Sequence, residues 1–214
     1  MRQLEVRFDS VSFAFGDRVV LDGFSAVLHP GQVGALVGPS GSGKSTLLNA
    51  VSGFVAPSAG AVSLRRVDDG TVTGPSPELV AWVPQGANCL GARSALDNVM
   101  LGPLGDGQPL PAARRTAHDA LDRVGLADRA SSLARTLSGG ELQRVSLARA
   151  LASSKPIILA DEPTSSLDAA STEVVAALLH SLSVDATVVV ATHDPLLIAA
   201  ASYAVDIRRR SRAA

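Results

Sequence analysis

The feature that most constrains this chain is a glycine-rich loop, Gly38-Pro39-Ser40-Gly41-Ser42-Gly43-Lys44-Ser45, set between a short apolar run at 32–37 and a helical stretch at 45–51. The spacing fits G-x-x-x-x-G-K-S/T in the context that gives the pattern meaning, after a strand and before a helix. Without Cβ atoms in the way, successive backbone N–H groups curl around a phosphate, and the positive end of the following helix adds attraction. Lys44 supplies a point charge, Ser45 a hydroxyl suited to Mg²⁺, and Thr46 opens the helix beside the α-phosphate. Such a loop calls for an α/β core, because it is presented from the end of a buried strand. The rival reading is a glycine-rich turn with an exposed lysine, and it leaves the flanking strand and helix without a role.

Hydrophobic periodicity supplies the rest of the architecture. Leu4, Val6 and Phe8, then Val11, Phe13 and Phe15, alternate with polar or small residues and predict half-buried strands of an N-terminal antiparallel sheet. Apolar runs at 80–83, 157–160 and 187–191 read as strands covered on both faces, as in a parallel sheet flanked by helices. Between Gln85 and about Ser153 the strand pattern disappears, and 111–124 and 141–151 carry helical spacing. The glycine- and proline-rich stretch at 102–111 is expected to be an exposed loop. The division this predicts is one domain over 1–214, with the core and antiparallel sheet formed by 1–85 and 154–214 and a helical subdomain at about 86–153. No repeat, long linker or low-complexity tract interrupts it.

Composition matters for what it excludes. At 46% hydrophobic, 214 residues sustain a sizeable core, and a formal net charge of -1 provides no broad basic field for nucleic acid. Cys89 is the only cysteine, so no intrachain disulfide forms, which suits a reducing, cytoplasmic address. Residues 1–9 are alternating and charged, unlike a secretory signal. The longest apolar stretch, 195–205, is broken by Ser202 and Tyr203 and is shorter than the ~20 residues that span a bilayer. Any membrane link is therefore expected to run through another protein.

Two further segments carry chemistry. Ile157-Ile158-Leu159-Ala160-Asp161-Glu162 is an apolar strand ending in two acids. Asp161 is placed to hold Mg²⁺ through its water shell, and Glu162 to polarise a water attacking the γ-phosphate. By itself the pair also reads as a surface turn. Ser138, Gly139 and Gly140 open a helix that continues through Glu141, with Ser138 as N-cap, which makes a second anion-attracting helix start in the same chain.

Leu137-Ser138-Gly139-Gly140-Glu141-Leu142-Gln143-Arg144 resembles the LSGGQ signature of the ABC ATPases, with Glu141 where the family most often has Gln. Gln85 after the 80–83 strand, Ser166-Leu167-Asp168 after Glu162, and Thr192-His193-Asp194 after the 187–191 strand are similar to the family's Q-, D- and H-loops in order and spacing. The likeness covers nearly the whole chain. It implies a phosphate-loop NTPase fold: a RecA-like α/β core, an N-terminal antiparallel β-subdomain and an inserted ABC-type helical subdomain. It also implies ATP hydrolysis with Mg²⁺, held by Ser45, Asp161 and Gln85. By the same likeness His193 bonds the γ-phosphate and steadies Glu162, where a lone histidine otherwise reads as a satisfied structural residue, and Gln85 reaches Mg²⁺ or the attacking water and touches a transporter partner. A glutamine there also fits the simpler task of satisfying a strand-end carbonyl. Phe15, just before Gly16, stands where the family stacks an aromatic ring on adenine, more often Tyr or Trp; Phe13 and Phe15 fit equally as core residues of the sheet.

In the family the signature of one protomer caps the γ-phosphate held by the other's phosphate loop. The resemblance therefore implies a homodimer around two ATP molecules. It also implies a separate transmembrane permease docked near Gln85 and the helical subdomain, which puts the chain on the cytoplasmic face of a membrane. Asp97-Asn98-Val99 before Pro103-Leu104, together with 137–149 and 160–164, are similar to the exporter branch that includes lipoprotein-release, macrolide-export and antimicrobial-peptide-export ATPases. A force-transmitting ATPase that moves no cargo, as in the related cell-division complex, is the alternative. DNA-repair and chromosome-organising relatives carry long insertions for which 85–137 leaves no room, and translation-associated ones carry two cassettes. His29, His118 and His180 read as surface residues and Trp82 as core. Arg208, Arg209, Arg210 and Arg212 form a basic tail, read as solvated, with contact to anionic lipid as the other option.

Overall fold

The computed structural model describes residues 3–210. Strands β1 (Leu4–Phe15) and β2 (Arg18–Leu28) pair antiparallel. Strand β3 (Val33–Val37) then leads through the glycine-rich loop into α1 (Lys44–Val51). Strands β4 (Ala59–Arg66) and β5 (Val72–Thr73) return to the first sheet, whose order is β2-β1-β4-β5, and β6 (Val80–Val83) begins a second sheet. Three helices follow: α2 (Ala95–Gly105), α3 (Leu110–Arg123) and α4 (Gly139–Ala152). The chain then alternates β7 (Ile157–Asp161), α5 (Ala169–Ser183), β8 (Thr187–Thr192), α6 (Pro195–Ala200), β9 (Tyr203–Asp206) and α7 (Ile207–Arg210). The second sheet is parallel, with order β6-β7-β8-β3-β9. The fold is the expected α/β core with an antiparallel sheet.

Register is what makes this sheet a platform. Val37 pairs with Thr192, and Asp161 pairs with Ala191, so β3, β7 and β8 end level at one edge. Strand β8 lies between the strand that feeds the glycine-rich loop and the strand that ends in acids. Side chains beyond all three therefore converge outside the carboxyl ends of parallel strands, where open α/β sheets place their ligands.

Three buried clusters hold the fold. One joins the antiparallel sheet to α1, with Phe8 against Phe24 edge to face at 5.6 Å and Leu47 and Leu48 beneath. The second fills the other face of the parallel sheet with Leu147, Val175 and Leu179. The third belongs to α2, α3 and α4, through Val99, Leu121, Val145 and Ala148. Helix α4 serves two clusters, Leu147 turning to the sheet and Val145 and Ala148 to the helices. The helical segment thus has its own core and is riveted to the sheet by the helix that starts at Ser138.

Several expectations need correction. The two N-terminal alternating segments form one strand: inward parity changes between Phe8 and Val11, and the change is absorbed where Ser10 takes a φ of 49° and the pairing slips. That is a β-bulge. The stretch at 102–111 is not a loop. Helix α2 runs through Gly102 and Pro103 to Gly105, and Pro109 caps the next helix. A Cβ on Gly102 would come within 2.7 Å of the Arg149 carbonyl oxygen, so glycine there serves the close packing of α2 on α4. Trp82 is half-buried against the first cluster. Strands β2, β4, β5 and β9 and helices α2, α5, α6 and α7 carry no expectation from sequence. His29, His118 and His180 are exposed, as expected. Arg212 and the side chains of Arg209 and Arg210 lie outside the described residues. Among the described residues no helix is long and apolar enough to cross a membrane.

Candidate functional site

Helix α1 starts from Gly43, whose φ of 96° is open only to glycine without strain. That conformation turns the loop so that Lys44 folds back under it. The lysine is 6% exposed, and its Nζ donates to the carbonyl oxygens of Gly38 at 2.8 Å and Pro39 at 3.2 Å. Ser42 packs against the start of the loop so closely that a Cβ on Gly38 would meet its Oγ at 2.5 Å. Among the described residues that buried hydroxyl has no partner.

At the end of β7 the chain takes an unusual step. Glu162 has a φ of 45°, and its N–H donates to the Ala191 carbonyl at 2.8 Å, extending the β7–β8 pairing by one residue. A non-glycine residue in this region is strained and persists only where its surroundings hold it. Here they do. Oε1 of Glu162 lies 3.3 Å from Lys44 Nζ and 2.9 Å from His193 Nδ1, and Oε2 accepts from the His193 backbone N–H at 3.4 Å. Since a carboxylate only accepts, the imidazole proton sits on Nδ1 and Nε2 is left for another partner. The His193 side chain is 69% exposed, so that nitrogen is open to an incoming group.

Asp161, one residue earlier, is half-buried. Burial raises its pKa above the ordinary 3.8, opposed by a hydrogen bond with the Ser45 hydroxyl, and the neighbouring Glu162 pushes the same way as burial. A desolvated carboxylate beside a hydroxyl, with a second acid adjacent, is short of positive charge. A Mg²⁺ ion, which takes one or two carboxylates and fills its shell with water and phosphate oxygens, fits this donor set.

These groups line one cleft of about 380 Å³, formed by Ser40, Gly41, Gly43, Lys44, Ser45, Thr46, Gln85, Asp161, Glu162 and His193. Gln85 is exposed, with its Nε2 3.4 Å from Ser165 Oγ. Arg18 and Val20 of β2 complete the lining, and sequence reasoning missed both. Arg18 had a legible signal, a cation directly after the Gly16-Asp17 turn. Phe15 is 52% exposed whereas Phe13 is 1% exposed, which removes the core reading for Phe15. The ring stands outside the cleft's lining, opposite Arg18 in the β1–β2 pairing.

The second anion-attracting surface lies elsewhere. Ser138 and Glu141 form a reciprocal cap, with Ser138 N–H donating to Glu141 Oε2 at 2.8 Å and Glu141 N–H to Ser138 Oγ at 3.3 Å. The Ser138 N–H holds the Glu141 carboxyl below its usual range. Gly140 packs on Ser171, near the start of α5, where Asp168 is the N-cap and accepts from Ser171 N–H at 2.8 Å. Ser138, Gly140, Glu141, Arg144 and Ser171 line a separate cleft of about 240 Å³ that shares no residue with the first. Gly139 is exposed beside it.

The segment after Gln85 is tied to the helices. Ala87 and Asn88 have positive φ, and Arg149 donates to their carbonyls at 3.1 and 3.2 Å. Asn98, fully buried, donates to Leu90 O and Ser94 O and accepts from Leu90 N–H at 2.6 Å. Both anchors escaped the sequence reading, since their targets are backbone atoms.

A family model for the ABC transporter matches residues 21–165. An uncharacterised ABC transporter ATP-binding protein of Mycobacterium tuberculosis is 39% identical over 193 residues, covering 87% of this chain and 58% of that protein. The mycobactin import ATP-binding/permease protein IrtB of Mycolicibacterium thermoresistibile is 42% identical over 185 residues, covering 84% of this chain and 31% of its own. The chain thus spans little more than half the length of the first relative and less of the second. Among solved structures, dimeric MJ0796, a bacterial ABC transporter cassette, has a TM-score of 0.75 at 30% identity, covering 94% of both chains. Neither relative is named for export, so these likenesses support the family and not the narrower exporter branch.

Proposed function

The chain belongs to the ABC transporter family of ATP-binding domains, and on that premise we propose that it binds and hydrolyses ATP as one of a pair that powers a separate transmembrane permease. The observation that carries the reading is the Glu162 carboxylate, held by Lys44 and His193 where three parallel strands end together. Lys44 and the loop N–H groups bind the β- and γ-phosphates. Ser45 and Asp161 hold Mg²⁺, with Gln85 within the same cleft. A Mg²⁺ ion held there would supply positive charge to offset the negative charge of the phosphate oxygens. As the phosphates take over Lys44, Glu162 is freed to accept a proton from the attacking water, while His193 keeps its orientation through Nδ1–H and, as an imidazolium with a second N–H at Nε2, would donate to the γ-phosphate. The exposed Phe15 ring serves as the platform for adenine.

Pairing is supported by the separation of the two phosphate-attracting surfaces, whose clefts share no residue. In a dimer the Ser138–Glu141 start of one chain, with Asp168 beside it, faces the loop of the other. Docking of the permease at Gln85 and the helices is supported by the anchoring of the 86–90 segment to Asn98 and Arg149, which couples the cleft to α2 and α4. Exposed Leu90, Leu101 and Leu104 offer apolar contact nearby. Outward transport rests on the likeness of Asp97-Asn98-Val99, Pro103-Leu104 and 160–164 to exporters.

The test compares the native chain with Lys44→Ala. The native chain is expected to bind a fluorescent ATP analogue tightly and to hydrolyse ATP only with Mg²⁺, and Lys44→Ala to do neither. Equal affinity and turnover would reduce the loop to a turn. Co-purification from membranes identifies the permease, and the side on which reconstituted vesicles accumulate cargo gives the direction.

A further inference from the structure

The cleft contains a positive side chain for which its motifs provide no task. Lys44 is already committed to the Gly38 and Pro39 carbonyls and to Glu162. Arg18, the first residue of β2, lines the same cleft, and its guanidinium has no partner among the described residues. Its place is set by the β1–β2 pairing, which puts it opposite Phe15 across the Gly16-Asp17 turn. Lys44, Asp161, Glu162 and His193 stand at the carboxyl edge of the sheet, while the exposed Phe15 ring lies outside the lining as the strand partner of Arg18. Arg18 stands on the side of the ring.

The lining balances Arg18 and Lys44 against Asp161 and Glu162, and a nucleotide brings several more negative charges. We infer that Arg18 is a further nucleotide-binding residue, its guanidinium holding the phosphate nearest the ribose while Phe15 takes the base. This rests on the cleft being the nucleotide site. The terminal phosphates belong with Lys44 and the acids, the base with the exposed ring, and what lies between them is the first phosphate. Guanidinium suits that task, because its planar fork gives a phosphate two parallel hydrogen bonds.

The experiment titrates the native chain, Arg18→Ala, Arg18→Lys and Lys44→Ala with ATP, ADP and adenosine against a fluorescent ATP analogue. Arg18→Ala is expected to weaken ATP and ADP by one common factor, about three- to tenfold at low salt. Adenosine binding should not change. The loss should shrink in about 0.5 M salt, where exposed charges are screened, and Arg18→Lys should recover part of it. Melting temperatures should match, since Arg18 has no partner in the ligand-free chain. Unchanged ATP and ADP affinity overturns the inference. A loss confined to ATP overturns it too, by placing Arg18 at the terminal phosphate, and a loss shared by adenosine does so by placing it at the base or sugar. If Lys44→Ala binds ATP as the native chain does, the nucleotide reading of the cleft fails, and this inference with it.

Discussion

Lys44 Nζ lies 3.3 Å from Glu162 Oε1, and the two side chains are 7% and 13% exposed. The phosphate-loop lysine and the acid assigned to the water are therefore each other's counter-ions in the ligand-free chain. Ion pairs this deep owe much of their attraction to covering desolvation, and removing one partner leaves the other charge stranded. On the proposed reading, phosphates entering the loop would replace Glu162 as the partner of Lys44, and binding and release of the base would be one event.

Glu162→Gln keeps the shape and removes both the base and the competing charge. Turnover should fall by about 10²–10⁴-fold, roughly 3–5 kcal/mol of barrier, while ATP affinity holds or rises because Lys44 is released. An ATP-bound dimer should then accumulate on size exclusion. Near-normal turnover would move the base elsewhere, with His193 the next candidate.

Ser138→Arg places a bulky cation on the helix start proposed to face the partner's phosphate. Binding of ATP to the monomer should be unaffected, because Ser138 lines a different cleft. Dimer formation with ATP and hydrolysis should both be lost. A variant that hydrolyses normally would refute the shared site.

Asp161→Asn probes the penalty of burial. The folded-state pKa of Asp161 lies above 3.8, so the folded chain holds this proton more tightly than the unfolded one. Its contribution to stability is complete below 3.8 and declines as pH rises through the folded value. At pH 7 the asparagine should raise the melting temperature of the ligand-free chain, with the gain disappearing as pH falls toward 3.8. ATP with Mg²⁺ should stabilise the native chain far more than the variant. A lower melting temperature at pH 7 would count against the burial argument.

Gly102→Ala tests the packing of α2 on α4. In an open helix the change stabilises by about 0.4–1 kcal/mol. Here the new methyl would press on the Arg149 carbonyl, so a net loss of about 1–3 kcal/mol is expected. That lowers the melting temperature by about 2–10 °C. A gain would mean that the helices separate freely.

The phosphate loop, the acid pair and the Ser138 cap were legible because each is local: a few consecutive residues carry the geometry. The strands at 80–83, 157–161 and 187–192 were legible for a related reason, since burial on both faces leaves an unbroken apolar run. Gly102 and Pro103 misled because composition speaks of turns, whereas an approach of two helices distant in sequence demanded glycine.

By itself the sequence determined the class of fold, the loop and the residues able to meet phosphate and metal. Only the tertiary structure decided which of them meet. The level endings of β3, β7 and β8 bring Lys44, Glu162 and His193 together, and the pairing of β1 with β2 puts Arg18 at the same cleft. Asn98 and Arg149 acquire their tasks only when the folded chain brings them to the carbonyls after Gln85. The physical reason is that local chemistry is written in neighbouring residues, while register and packing depend on atoms far apart along the chain.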